Sequence, residues 1–475
     1  MSNTVRGYNT TMFNYSFWAD EAYISGIAAQ LAIGKLSLLQ AFNAPGITYQ
    51  RLHMLVVTFF FKIFGVSEFV ARLPSILGFI FGIVIIFLLA KRLSNVYGGI
   101  LSAFLYAFSH LNLAYASQAK PYITIEGITL LIIYLLIGKH KLRHLFVIAL
   151  CTIATLLHSI GIFLWVLYIV YTIVNMKRLK LSKLRDLKIS GLVTLIIGLF
   201  AVIPVVYSFI KNGSFFQYNH LYQSIKLFTY KYPFIIASSF VGYLWLFRKQ
   251  RNISLSILAY GLVVFCMASF EIYIFNIRYV LSLFGILFLY FGIFWAKVGE
   301  RYQFKIGGKA VIPIVVMILI YTTGYKIVRW PQAYYSPNID KYGDVQIANY
   351  KDFYTQLKHK FPYYQNLYVV NDTFDVEYWY FGRYSNTYFM KFTEKPYKHH
   401  TADTYVYGSL NDFKKIIKEN PQGLLIMEDW QSFLPDDIKE YAKKNLRLEF
   451  RVESLRESPD DPWPLALYSW GLERH

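Results

Sequence analysis

The chain has 475 residues, 56% of them hydrophobic and 19% aromatic, and a formal net charge of +20. So much apolar surface excludes an ordinary soluble protein of this length and puts membrane spans first. The basic balance does not signal nucleic acid, because Lys and Arg gather in short loops between apolar runs, where they set orientation in a membrane.

Charge divides the chain. Residues 1–330 hold 30 Lys/Arg against 7 Asp/Glu, and residues 331–475 hold 18 against 21. We read three regions: a first outer loop with interfacial helices over 1–70, a transmembrane domain over 71–330, and a soluble α/β domain over 331–475.

Met1–Phe17 is polar and has no apolar core of a signal peptide. An outward N-terminus with no preceding span is an awkward translocation product, so either a first span lies upstream of this start, which we favour, or the N-tail is translocated after synthesis. Two apolar stretches, 22–33 and 52–64, carry polar residues and read as amphipathic helices along the outer interface. The second is also long enough to be a short span, and that alternative stays open here.

Apolar runs then follow at 71–90, 98–114, 121–138, 144–157, 160–176, 189–210, 232–247, 253–270, 279–296 and 310–328, about ten spans. One set of alternate loops carries 18 Lys/Arg, whereas the other holds little beyond Lys120, Lys211, Lys226 and Arg278. The positive-inside rule makes the first set cytoplasmic. Residues 1–70, the loop near Lys120, the loop before Arg278 and the C-terminal region then face outward. Cys151 and Cys266 lie inside apolar runs and read as small core hydrophobes. Beyond Trp330, short strand-like runs (LYVVND, TYFMKF, TYVYG, GLLIMED) alternate with helix-like segments, the pattern of an α/β domain.

Chemistry is sought among the few acids of the membrane part. Asp20 and Glu21, in FNYSFWADEAYISG at residues 13–26, stand together where a helix begins. Capping a helix and meeting its dipole accounts for one acid; a second one behind Trp18 points to a site. The loop YASQAKPYITIEG, residues 115–127, brings Gln118, Lys120 and Tyr122 to the same side, with Glu126 a turn into the next helix. An acid at membrane depth is costly and faces a cavity or a partner. Arg278, in NIRYVLSL, stands at the mouth of a span, either snorkelling to headgroups or clamping a phosphate. His53 and His158 lie at outer boundaries.

No Walker loop, dinucleotide fingerprint, HExxH or CxxC occurs. An outward-facing enzyme needs an activated donor already delivered to that side, and a lipid-linked phosphate is the membrane-borne one. A transporter or lipid flippase is the alternative, with Glu126 and the interfacial Arg residues as pathway groups. No pair of matching broken segments in two halves supports it.

FWADEAY, KIFGVSEFVARLPSILGFI, YASQAKPY, LLHSIG and IRYVL, in that order, resemble the multi-spanning GT-C glycosyltransferases of the protein O-mannosyltransferase and aminoarabinose-transferase type, over about residues 13–300. The resemblance implies a polytopic helical membrane protein that moves a sugar from a polyprenyl-phosphate carrier, with inversion, outside the membrane. The implied setting is a bacterial plasma membrane, with the C-terminal domain extracytoplasmic. Implied partners are the lipid-linked sugar donor, membrane lipids and a glycan, lipid or protein acceptor.

The family's acidic motif makes Asp20 the implied general base, with Glu21 beside it as metal ligand, orienting group or dipole partner. Arg278 and Tyr279, with Lys120 and Arg51, are the implied phosphate-binding group. Gln118, Tyr122, Glu126, His53 and His158 are further site candidates. The chain departs from the family at 50–53, where Gln-Arg-Leu-His replaces a Pro-Pro-Leu-Tyr-like segment, and at Gln118, where an acid is usual. A divalent metal stays open, since no ligand spacing is specific.

Overall fold

The computed structural model describes residues 16–44, 47–176, 218–270, 276–302, 348–399, 402–429, 433–454 and 464–473, with isolated positions at 314, 316 and 318. The apolar run at 189–210 and most of that at 310–328 lie outside them. The helical part runs α1 (Ala19–Ala32), α2 (Leu38–Asn43), α3 (Arg51–Phe64), α4 (Glu68–Leu93), α5 (Val96–Phe108), α6 (His110–Ala116), α7 (Tyr122–Ile137), α8 (Arg143–Leu157) and α9 (Leu164–Met176). It continues with α10 (Leu221–Lys231), α11 (Pro233–Lys249), α12 (Arg251–Phe270) and α13 (Leu281–Tyr302).

Among the described residues, three helical segments are long and apolar enough to cross a bilayer: Glu68–Leu93, Arg251–Phe270 and Ile277–Arg301. Four shorter apolar ones are Val96–Phe108, Tyr122–Ile137, Arg143–Leu157 and Ser159–Asn175. The run read as one span over 98–114 is two helices that meet at Ser109, whose hydroxyl caps α6 by accepting from Asn112 N–H at 3.3 Å.

The reason these helices need a membrane is visible on α4. Leu77, Ile80, Val84 and Leu88 recur at helical spacing and are exposed, while Gly78, Gly82, Ile86 and Leu89 face the interior. An apolar stripe with no protein over it is a lipid-facing surface. Ser67 starts this helix by accepting from Val70 N–H at 3.3 Å, and Lys91 and Arg92 meet its C-terminal dipole.

Inside the bundle, α4 packs between α5 and α7, and α13 against α5 and α11. Small residues allow the close crossings, as expected where backbone approach rather than hydrophobic transfer holds helices together. A Cβ on Gly242 of α11 would fall 2.1 Å from the carbonyl oxygen of Tyr290 on α13.

The C-terminal part holds α14 (Tyr350–Lys360), α15 (Glu377–Tyr380), α16 (Leu410–Glu419), α17 (Asp436–Asn445) and seven strands. The strands are β1 (Tyr368–Asn371), β2 (Thr387–Phe389), β3 (Tyr397–His399), β4 (Thr404–Tyr407), β5 (Gly423–Glu428), β6 (Arg447–Val452) and β7 (Leu465–Trp470). They form one sheet in the order β3-β4-β2-β1-β5-β7-β6. β4, β2, β1 and β5 are parallel, and β3, β7 and β6 add antiparallel edges. The buried central strands read as continuous apolar runs, as parallel strands covered on both faces do.

The two stretches read as interfacial helices, α1 and α3, pack against this sheet domain. Phe17, Ile24 and Met54 share one buried cluster with Phe353, Val369 and Leu424. Trp379 of α15 meets the ring of Phe17 edge-on at 4.9 Å and stacks on Phe61 of α3 at 5.9 Å. Tyr380 Oη accepts from Phe17 N–H at 2.6 Å. The sheet domain is thereby seated on the first helices of the chain.

Gly242→Val should lower the melting temperature of the detergent-solubilised protein, by an overpacking cost of about 1–3 kcal/mol. Gly261→Ala should not, since its Cβ would meet nothing nearer than Leu283 Cδ2 at 3.9 Å. Equal melting temperatures for both variants would contradict the packing described.

Candidate active site

Adjacent helix positions point about 100° apart, so Asp20 and Glu21 in the first turn of α1 face different surroundings. Glu21 turns inward and is 1% exposed, against Arg72 of α4 at 0%. Its Oε1 accepts from Arg72 Nε at 3.1 Å and from Ala119 N–H at 2.7 Å. Its Oε2 accepts from Arg72 Nη2 at 3.3 Å and from Trp18 N–H at 3.1 Å. Arg72 also donates to the Ser16 carbonyl at 3.3 Å and lies 4.9 Å over the Phe17 ring. Glu21 therefore ties α1, α4 and the loop before α7 together.

Asp20 points the other way, into a cavity of ≈ 360 Å³. Its Oδ2 accepts from Arg278 Nη1 at 2.8 Å and stands 3.8 Å from Lys120 Nζ. Lys120 is buried, and its carbonyl accepts from the Ser75 hydroxyl of α4 at 2.7 Å. Arg278 is set by the turn Ile277–Val280, where Asn276 Oδ1 accepts from its backbone N–H at 3.0 Å. The guanidinium lies 5.8 Å from the Tyr122 ring and 5.1 Å from the Tyr279 ring, and donates to Tyr279 Oη at 3.3 Å. Among the described residues its buried Nε has no hydrogen-bond partner.

Electrostatics follow from this arrangement. Burial works to raise the Asp20 carboxyl, but Lys120 and then Arg278 outweigh it and hold it down at about 2. Burial lowers the Lys120 ammonium, and Asp20 opposes that. His158 is drawn down to about 3 by burial and then by Lys120 and Arg278. It is neutral: Nδ1 accepts from Ile160 N–H at 3.2 Å, leaving Nε2 to donate toward Tyr122 Oη at 3.2 Å. Burial likewise brings His53 to about 4, against its bond to the Ala119 carbonyl at 3.0 Å, so its Nε2 donates there as a neutral ring. Burial and the Asp20 charge push the Asp375 carboxyl at the same cavity up to about 7, so below that pH the charges there are two cations and one anion, an excess of positive charge that suits a phosphate.

Of the residues singled out in the sequence, Asp20, Lys120, Tyr122, His158, Arg278 and Tyr279 line this cavity. Glu21 and His53 stand behind it, holding the loop at Ala119. Gln118 is buried in that loop. Arg51 is exposed and lies 5.5 Å from the Phe42 ring. Glu126 is buried in the helical bundle, where a Cβ on Gly285 would come within 2.8 Å of its Oε1. Among the described residues, no group of three or more His, Cys, Asp or Glu is placed to hold a metal ion.

The cavity also takes Tyr23, Tyr49, Gln50, Ser159 and Asp375, which the sequence reading passed over. Sheet topology, not sequence, marks Asp375. It follows β1, and the chain leaves β1 toward β2 on one side but returns as β5 on the other. Such a reversal at the carboxyl ends of parallel strands is where open α/β sheets bind ligands.

Residues 52–207 match the family profile of dolichyl-phosphate-mannose-protein mannosyltransferases. The described architecture is similar to crystal structures of ArnT from Cupriavidus metallidurans. The apo state aligns with a TM-score of 0.56 at 12% identity, over 96% of this chain and 94% of that one. The form bound to undecaprenyl phosphate aligns with a TM-score of 0.58 at 13% identity, with the same coverage.

The chain has a GT-C fold. An oligosaccharyltransferase from Archaeoglobus fulgidus shares it more distantly, with a TM-score of 0.52 at 10% identity over 88% of this chain and 67% of that one. Comparison with curated proteins finds no match. In this GT-C fold, the ion-paired cavity lies where the first helices, the ends of membrane helices and the sheet domain converge.

The inward acid should carry stability and the outward one should not. Glu21→Ala leaves Arg72 as an uncompensated buried charge, expected to cost about 3–5 kcal/mol. A steep fall in melting temperature or folded yield should follow. Asp20→Asn should melt close to the wild type, and the reverse order would overturn these assignments.

Proposed function

We propose that this chain is an inverting glycosyltransferase that moves a sugar from a polyprenyl-phosphate donor to an acceptor hydroxyl on the outer side of the membrane. The observation that carries the reading is Asp20 held between Arg278 and Lys120 in an open cavity. The similarity to a mannosyltransferase family and to a fold seen with undecaprenyl phosphate supports it.

The chemistry is coherent with these residues. Arg278, with its unpartnered Nε, and Lys120 receive the donor phosphate and neutralise it as it departs. A phosphate leaves without needing a proton, so the site requires no acid, unlike the carboxyl pair of a glycoside hydrolase. One carboxylate to take the acceptor's proton is enough.

Asp20 fills that role by exchange. Before the donor binds, Asp20 is the counter-ion of both cations and too weak a base to deprotonate a hydroxyl. A phosphate that draws Arg278 and Lys120 to itself releases Asp20, and its basicity rises toward that of an ordinary carboxylate. The neutral rings of His53 and His158 add no competing charge.

Asp20→Asn should reduce transfer from undecaprenyl-phosphate-linked sugars by at least about 100-fold, within the range typical of general-base loss, while leaving binding of undecaprenyl phosphate intact. Mass spectrometry of the products reads transfer. Arg278→Ala should weaken undecaprenyl phosphate by about tenfold or more. Undiminished transfer by the first variant would contradict the base assignment, and undiminished binding by the second would contradict the clamp.

A further inference from the structure

Asp375 reaches the cavity from the sheet domain, across from the helices that supply Asp20, Lys120 and Arg278. It stands in the short turn between β1 and α15, and both flanks of that turn are anchored. The Phe374 ring lies 4.1 Å from the His399 ring and 6.1 Å from Tyr388. Glu377 is buried, accepting from Asn371 Nδ2 at 2.7 Å and Ser385 N–H at 2.9 Å, and bonding the hydroxyls of Ser385 and Tyr388. The next residues dock on the first helices, with Tyr378 Cδ1 3.3 Å from where a Cβ on Gly26 would lie.

The turn is thus held from three directions, and the side chain between its anchors borders the cavity. Among the described residues that carboxyl has neither a hydrogen bond nor an ion pair, although Lys120 is near enough to favour its charge. A carboxylate kept in a built site without a protein partner is available to a ligand's donors.

We propose that Asp375 binds hydroxyl or amino groups of the transferred sugar and so determines which lipid-linked sugar this chain accepts. The proposal rests on the reading of Arg278 and Lys120 as the donor's phosphate site. A sugar esterified to a phosphate there must lie beside the clamp, and the cavity of ≈ 360 Å³ is within the size range of small-ligand sites. Asp375 forms part of the wall around it, with Tyr23 and Tyr49 lining the same space. The ligand class is a neutral or amino sugar. A uronic acid would bring its carboxylate to a wall that already holds Asp20 and Asp375, and the like charges would reject it.

The surroundings tune this group. Burial first and then the Asp20 charge push the Asp375 carboxyl up to about 7, with Glu428 adding and Lys120 opposing. The other polar or charged groups at the cavity are Arg278, neutral His158, Gln50, Ser159, Tyr23, Tyr49, Tyr122 and Tyr279. The ionised form accepts from sugar hydroxyls, so affinity for a glycosylated lipid should rise as pH climbs through neutrality.

The test compares binding of bare undecaprenyl phosphate with undecaprenyl phosphate carrying mannose, glucose, galactose, an aminopentose or glucuronate. The full-length protein in nanodiscs is used as wild type and as Asp375→Asn. The expected result is that wild type prefers at least one neutral or amino sugar-lipid over the bare lipid by about tenfold or more, the worth of hydrogen bonds to a charged group. Asp375→Asn should remove that preference and its rise with pH, leaving the bare lipid's affinity unchanged.

Three results would overturn the proposal: a preference that survives in Asp375→Asn, no preference in wild type, or an equal loss of bare-lipid binding in the variant. A variant with unchanged binding of every lipid but slower transfer would move Asp375 to the acceptor and also refute it. Failure of wild type to bind undecaprenyl phosphate at all would instead refute the phosphate site, a separable outcome.

Discussion

The buried pair of Glu21 and Arg72 is the constraint on which the site depends. Two charges with almost no exposure are tolerable because they pair closely and the Glu21 oxygens accept backbone N–H groups besides. Glu21 spends its oxygens on Arg72, on Ala119 N–H and on Trp18 N–H. The first bond joins α1 to α4, and the second pulls in the loop that ends in Lys120. Once Glu21 is fixed, the helix turn between neighbours aims Asp20 outward, beside the ammonium of the loop its neighbour holds. Positioning and chemistry are thus divided between two adjacent acids.

The phosphate-handling half of the proposed site comes from groups that satisfy each other until a phosphate arrives. Arg278 and Lys120 share one carboxylate, which keeps both cations preorganised without saturating them. The donor's phosphodiester spreads one charge over two free oxygens and gains a second charge as the sugar leaves, so exchange favours it increasingly as transfer proceeds. In the proposed mechanism the same exchange turns Asp20 from a counter-ion into a base at the moment one is needed. In a fold with so few acids in its helical part, this economy explains why the pair at the start of α1 stands out.

Much of this was legible in sequence, and for identifiable reasons. The scarcity of acids made Asp20 conspicuous, and the order of five short motifs related it to Lys120, His158 and Arg278. Strands such as LYVVND and GLLIMED were visible as unbroken apolar runs. What sequence did not resolve was direction. Nothing in the letters Asp-Glu says which carboxylate enters the cavity, because that is decided by Arg72, about fifty residues away. Glu126 looked like a site residue for its cost in a membrane, and the structure places it inside the bundle beside Gly285 rather than among the residues that line the cavity. Arg51 is next to a cavity residue in sequence, but Gln50 is the neighbour that lines the cavity. β6 and β7 went unread because Arg447–Val452 is interleaved with charge and Leu465–Trp470 sits close to the chain's end. Asp375 was hidden by distance along the chain, since only strand order reveals that its turn leaves the sheet at a binding crevice.

The central claim is that the ion-paired cavity is the seat of a lipid-linked phosphate, and a structure determined with undecaprenyl phosphate bound tests it most directly. The account expects phosphate oxygens within hydrogen-bond distance of Arg278 and Lys120, with the Asp20–Arg278 contact at 2.8 Å opened. A phosphate seated elsewhere, with that contact intact, would contradict it.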